Sequence, residues 1–221
     1  MKIERLLIGT AVTLACASAS AQTWDAAAQW SVPSNPNGVW SYGEYKPLST
    51  WDTLSWDSID NQYEWDESPV LGAGIWENTL TSADLGIAPG QISLNSSYGT
   101  AVLGFTAPVT GIYAFDIAIG GTIVTEGGGS GNALALNGDV SVNGTNMASN
   151  SFLNNVKVWQ FNSALSAGQT VDAYVLSNGT TPGGNTALNF SVNAVPEPGS
   201  YLALGIGLIG LIGVRKRRSR N

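Results

Sequence analysis

Tyr113-Ala114-Phe115-Asp116-Ile117-Ala118-Ile119 alternates large apolar residues with small or charged ones, and this period of two decides the fold class. Successive side chains of an extended chain leave opposite faces, so Tyr113, Phe115, Ile117 and Ile119 share one face of a strand while Ala114, Asp116 and Ala118 share the other. The rhythm returns in Leu188-Asn189-Phe190-Ser191-Val192-Asn193-Ala194, as suits an antiparallel strand with one buried and one wet face. Further strands are expected over 156–161 and 171–176. Ala133-Leu134-Ala135-Leu136 is expected to fold back on Asp139-Val140-Ser141-Val142 across Asn137-Gly138, a dipeptide suited to tight hairpins. Turn residues punctuate the chain at Thr110-Gly111, Gly127-Gly128-Gly129, Asn143-Gly144, Gly168 and Asn178-Gly179, and no amphipathic helical pattern of twelve residues stands out. The expectation is an all-β fold, a jelly-roll-like antiparallel β-sandwich.

Composition points the same way. Charged residues make up 11% of the 221, below the usual ~25%, and glycine is high at 27 residues. The chain has no histidine and a single cysteine, Cys16. Ser-His-Asp triads, Cys-His dyads, His-ligated zinc, CxxC sites and disulfides are therefore excluded.

The two ends read as transport signals. Lys2 and Arg5 precede an apolar run over 6–17, and Ala19-Ser20-Ala21 forms a small-x-small cleavage site before Gln22. About twelve apolar residues are too few for a permanent span, which needs roughly 20. A lipoprotein reading of Cys16 meets Thr13 where the lipobox has leucine. At the other end Val195-Pro196-Glu197-Pro198 precedes an apolar run over 199–214, followed by Arg215, Lys216, Arg217, Arg218 and Arg220. That run is expected to be one short transmembrane helix, with snorkelling cations offsetting its modest length. The basic tail places this end in the cytoplasm and everything upstream outside. The two prolines withhold N–H donors and disfavour helix, so the motif stays extended just before the membrane.

This tripartite tail resembles the PEP-CTERM sorting signal of exported bacterial proteins, a motif that also goes under the label of an ice-binding protein C-terminal domain. The resemblance implies recognition of Val195-Pro196-Glu197-Pro198 by an exosortase, a membrane enzyme of cysteine-transpeptidase type. Such an enzyme removes the helix and tail and sends the protein to the cell surface or extracellular polysaccharide matrix. It speaks of sorting and assigns no activity to the domain upstream.

That domain, residues 22–194, keeps only two cations, Lys46 and Lys157, against fourteen acids. A face able to neutralise several phosphates is missing, so nucleic acid and anionic lipid are excluded as partners. Three phrases within it resemble a jelly-roll domain of carbohydrate-binding-module type: residues 35–43, residues 102–113 with Thr106-Ala107-Pro108, and residues 165–172.

Seven of the eight tryptophans precede residue 77, and seven acids fall between Glu44 and Glu67. Within that stretch Trp51-Asp52, Trp56-Asp57 and Trp65-Asp66 pair a ring with a carboxylate. Rings stack on sugar C–H faces and carboxylates accept hydroxyl hydrogen bonds, so these six residues are candidate glycan contacts. Packing of the tryptophans in the core and solvation of the acids in turns is the competing reading. Calcium held by the acids is a second functional reading, although no Asp-x-Asp-x-Asp-Gly loop occurs and no cofactor is otherwise implied. A small glycoside hydrolase built on a carboxylate pair is a third, but no pair is singled out and no catalytic residue is assigned. The glycine-rich 127–131 lacks the cation and helix of a phosphate loop. The expected whole is a non-enzymatic surface or matrix protein, its partners being the secretion machinery and signal peptidase, an exosortase, and extracellular polysaccharide.

Overall fold

The computed structural model describes residues 22–32, 34–45, 51–57, 62–64, 73–96, 100–120, 138–153, 155–176 and 185–196. The expected leader, the apolar run 199–214, the basic tail, Glu197, Pro198, Trp65 and Asp66 lie outside the described residues. Residues Gln22–Val195 form a compact unit of their own. In chain order its strands are β1 (Thr23–Asp25), β2 (Trp40–Tyr45), β3 (Trp51–Thr53), β4 (Ser55–Asp57), β5 (Gln62–Glu64), β6 (Ala73–Glu77), β7 (Ile92–Ser96), β8 (Thr100–Thr106), β9 (Gly111–Gly120), β10 (Gly138–Val142), β11 (Thr145–Met147), β12 (Ser151–Leu153), β13 (Val156–Leu165), β14 (Thr170–Val175) and β15 (Asn185–Val195).

All pairings among the described residues are antiparallel. One sheet runs β12-β13-β9-β15-β7-β6-β5-β4 with β1 added against β15; the other runs β11-β10-β14-β8-β2-β3. From β7 to β10, and again from β13 to β15, each strand lies in the sheet opposite its predecessor, the alternation of a jelly roll. At each margin the chain passes directly between sheets. Leu54 alone joins edge strands β3 and β4, and residues 148–150 join edge strands β11 and β12.

The period-two reading holds in the long strands. Tyr113, Phe115, Ile117 and Ile119 of β9 are buried, as are Leu188, Phe190 and Val192 of β15, while Asp116, Asn189 and Asn193 are exposed. Both inner faces feed one aromatic core. Phe105 of β8 meets Trp24, Trp40, Tyr113 and Phe115 at centroid distances of 5.5 to 5.8 Å, and Trp40 reaches Phe190 across the sandwich at 5.1 Å. Each large apolar side chain so buried contributes about 1.5–3 kcal/mol. Three indole N–H groups find partners in or beside this interior. Trp40 donates to Gln29 Oε1 at 2.9 Å, Trp159 to the Met147 carbonyl at 2.9 Å, and half-buried Trp76 to Asn185 Oδ1 at 2.8 Å.

The three phrases that resemble a carbohydrate-binding-module domain come together at one end of this core. Trp40 pairs with Phe105, and the Thr106 N–H donates to the Val39 carbonyl at 2.8 Å. Ala107 exchanges backbone bonds with the next turn, donating to Gln169 O and accepting from the Gly168 N–H, both at 2.9 Å. Asn35 ties β2 to the crossing at Leu54: its amide donates to the Tyr42 and Leu54 carbonyls at 2.7 Å each, and its oxygen accepts from the Tyr42 N–H at 3.0 Å.

One expected hairpin is corrected. Residues 133–137 lie outside the described residues, but Val140, Ser141 and Val142 are flanked by β14 on one side and β11 on the other, so both edges of β10 are taken there. Gly138 is itself a strand residue opposite Val175. The tight turn forms instead at the other Asn-Gly pair. Asn143 and Gly144 have φ of 48° and 77° and join Val142 to Thr145, as a type I′ turn requires.

Candidate functional site

The two Trp-Asp pairs that the structure describes lie on different sheets. Trp51 and Asp52 occupy β3, the edge of the smaller sheet, opposite Tyr45 and Glu44; Trp56 and Asp57 occupy β4, the edge of the larger sheet, opposite Tyr63 and Gln62. Only Leu54 separates the strands, so both pairs sit at one margin of the sandwich. Leu54 is buried and its N–H donates to the Tyr42 carbonyl at 3.1 Å, which fixes the crossing between them. Glu44, expected in a solvated turn, is instead a strand residue only 3% exposed, two positions along β2 from buried Tyr42 and four from buried Trp40. The competing reading of the tryptophans is correct for Trp24, Trp40 and Trp159, which belong to the core, and Trp30 packs against it. No group of three acidic, histidine or cysteine side chains suited to a metal ion occurs among the described residues.

A second surface emerges that the sequence did not single out. A groove of about 550 Å³ opens on the outer face of the larger sheet, over β1, β15, β9 and β13. Its floor is a row of polar residues set by register: Asp25 lies opposite Ser191, Ser191 opposite Asp116, and Asp116 opposite Gln160. Two residues along β15, Asn189 lies opposite Ala118, whose small side chain leaves room beside it. Strand spacing sets these side chains about 4.8 Å apart across the sheet, and rows follow every ~6.8 Å along it.

The donors and acceptors of the groove are unequal. Asp25 Oδ1 accepts from the Ala28 N–H at 2.9 Å, and Asn189 Oδ1 accepts from Gln91 Nε2 at 3.2 Å. The side chains of Asp116 and Gln160 carry no hydrogen bond among the described residues, and no lysine or arginine lines the groove. The surface therefore offers acceptors in excess and amides that both donate and accept. No signal short of pairing could have revealed it, because Asp25, Asp116, Gln160 and Ser191 come from four separate strands. The Trp-Asp margin is distant: β4 is four strand spacings from β15, roughly 19 Å.

Val195 of the expected processing motif is the last residue of β15 and pairs with Ile112. Comparison with known protein families finds a match at this end of the chain. Residues 194–218 carry a PEP-CTERM protein-sorting motif. The match begins one residue before Val195 and ends at Arg218, so it takes in Pro196, Glu197, Pro198 and the cations Arg215, Lys216 and Arg217. The chain thus carries a sorting signal directly after a β-sandwich. No curated protein matches the chain. Among solved structures, the CBM35 from Paenibacillus barcinonensis is similar at 14% identity, over 67% of this chain and 97% of that one, with a TM-score of 0.26. A likeness of that degree carries no weight for the ligand.

Proposed function

We propose that this is an exported surface or matrix protein whose β-sandwich is a non-enzymatic glycan-binding module. On this reading a leader over residues 1–21 directs export and is removed before Gln22. The apolar run 199–214, with its cationic tail inside, holds the precursor until an exosortase acts at Val195-Pro196-Glu197-Pro198. The sorting motif over 194–218 is the observation that carries the delivery half of the reading.

The groove supports the binding half. Its acceptors suit the hydroxyl donors of a sugar, and its amides can engage ring and hydroxyl oxygens in turn. With two carboxylates and no cation in its lining, it favours a neutral polysaccharide and repels a uronate-rich one. Retention of the purified chain on neutral and on uronate-rich polysaccharide tests this. The expected outcome is retention on the neutral polymer alone, unaffected by EDTA and without release of reducing ends. EDTA sensitivity would transfer the reading to calcium, and released ends to a hydrolase. An Asp116→Asn, Asn189→Ala double variant is expected to weaken retention by about tenfold or more, since hydrogen bonds to charged groups are worth ~1.5–3 kcal/mol. If Trp51→Ala, Trp56→Ala abolishes retention while the groove variant does not, the ligand belongs at the sheet margin instead.

A further inference from the structure

One end of the sandwich carries no charge. Residues 107–110 between β8 and β9, 166–169 between β13 and β14, 143–144 between β10 and β11, and 193–195 at the close of β15 contain neither acid nor base. Residues 22–194 as a whole hold fourteen acids and two cations, so this neutrality is local. Hydrogen bonds bring the segments together. The Ala167 N–H donates to Thr110 Oγ1 and the Thr170 N–H to Asn143 Oδ1, both at 3.1 Å, while Ile112, just inside β9, pairs with Val195. The nearest acids, Asp25, Asp116 and Asp172, stand two or more residues further into their strands or sheet.

Apolar side chains stand where charges are missing. Val109 is 62% exposed, the most exposed large hydrophobic side chain among the described residues, and Ile112 is 38% exposed. Ile112 lies opposite Ala164 on one side and Val195 on the other, so the three form an apolar row on the outer face at the last rung of the larger sheet. The polar groups of the tip are used internally. The Tyr113 hydroxyl donates to the Val109 carbonyl at 2.6 Å, and the Ser166 N–H donates to Gln169 Oε1 at 2.7 Å. Moving this tip into a medium poorer in water therefore costs little in unpaired donors and gains by covering Val109 and Ile112.

We propose that this uncharged end, with Val109 at its tip, is a lipid-docking surface that seats the sandwich on the outer leaflet of the membrane. The chain itself supplies the argument for lipid. β15 ends here at Val195, and only three residues, about 10 Å of extended chain, lead to the apolar run at Gly199. With that run in a bilayer, the tip is never far from the headgroups, and a tethered contact needs little affinity of its own. A stable protein partner buries about 800 Å² per side, of which two aliphatic side chains are a small part, whereas a lipid surface needs no matching shape. Docking would also leave the groove accessible, because Asp116 lies four residues along β9 from Ile112, roughly 14 Å further out. The inference rests on the reading that residues 199–214 anchor the chain in a membrane.

The two ends of the sandwich supply the test. Leu176 follows β14 at the opposite end and is 46% exposed, so it controls for exposure and apolarity. In a Cys16→Ala background, Ala167→Cys and Leu176→Cys each give the exported full-tail chain one site for a fluorescent label, and the chains are reconstituted in phosphatidylcholine vesicles. The label at 167 is expected to be quenched about threefold more by a nitroxide-bearing lipid, and about threefold less by iodide in the water, than the label at 176. Val109→Ser, Ile112→Thr changes two exposed side chains and is expected to bring the label at 167 to the level of 176. Equal quenching at the two sites in chains that float with the vesicles would overturn the docking surface and leave the anchor standing. Chains that do not float would overturn the anchor, and the docking surface with it. Shielding of 167 from iodide without lipid quenching, growing with the number of chains per vesicle, would assign the tip to a second copy and overturn lipid as its partner.

Discussion

The long central strands and the short marginal ones are built on different terms. β9, β13 and β15 are ten or eleven residues long, cross the whole sheet, and bury one face against the aromatic core. β1, β3, β4 and β5 have three residues each, and β3 and β4 stand at sheet edges. A long strand is held by many small contributions along its length, so no single one decides its position. A three-residue strand depends on one anchor, such as Trp24 in β1, or on a tie from elsewhere, such as Asn35 beside β3. The difference teaches where this sandwich is easily changed: at the margins rather than in the centre.

The largest expected effect removes one such anchor. Trp24→Ala should destabilise the domain by about 3–5 kcal/mol in urea unfolding, because it empties a buried site between Phe105 and Tyr113. Loss below ~1 kcal/mol would mean that β1 is held by its backbone bonds alone, and the contrast between anchored and distributed strands would fail. By comparison, Trp51→Ala and Trp56→Ala, if the glycan reading of the margin holds, should each stay within about 0.5 kcal/mol in the same assay. A loss comparable to that of Trp24 would return them to the core.

A smaller effect separates turn strain from packing. Gly144 has φ of 77° and open space where a Cβ would stand, so Gly144→Ala should cost about 1 kcal/mol through backbone strain alone. Gly111 opens β9 without a positive φ and has room beside Tyr113, so Gly111→Ala should be near neutral. The smallest effect is electrostatic. Burial raises the carboxyl pKa of Glu77 above its ordinary 4.5. The folded state thus favours the protonated acid, and that advantage is present below pH 4.5 and lost as pH rises through the folded value. Glu77→Gln should therefore raise the thermal midpoint slightly at pH 7 and leave it unchanged below pH 4.5.

The same division governs what could be read from the residues. Tyr113 to Ile119 and Leu188 to Ala194 announced themselves because a half-buried strand writes its two faces into alternate positions. The hairpin was misplaced because both Asn137-Gly138 and Asn143-Gly144 carry suitable turn chemistry, and only the partners of β10 decide between them. The sorting motif was legible because it is contiguous and its parts come in fixed order. The groove was not, since Asp25, Asp116, Gln160 and Ser191 become neighbours only through pairing across four strands. The Trp-Asp repeats were visible but not their division between two sheets, because a single residue, Leu54, makes the passage.

That passage has a mechanical corollary. Leu54 on one side and residues 148–150 on the other stitch the layers together like the two hems of a sleeve. Sliding one layer over the other would strain both seams at once, so shear between them is opposed by covalent chain as well as by packing. A protein fastened to a surface and pulled by the medium around it should then give way in one abrupt rupture rather than by gradual slip.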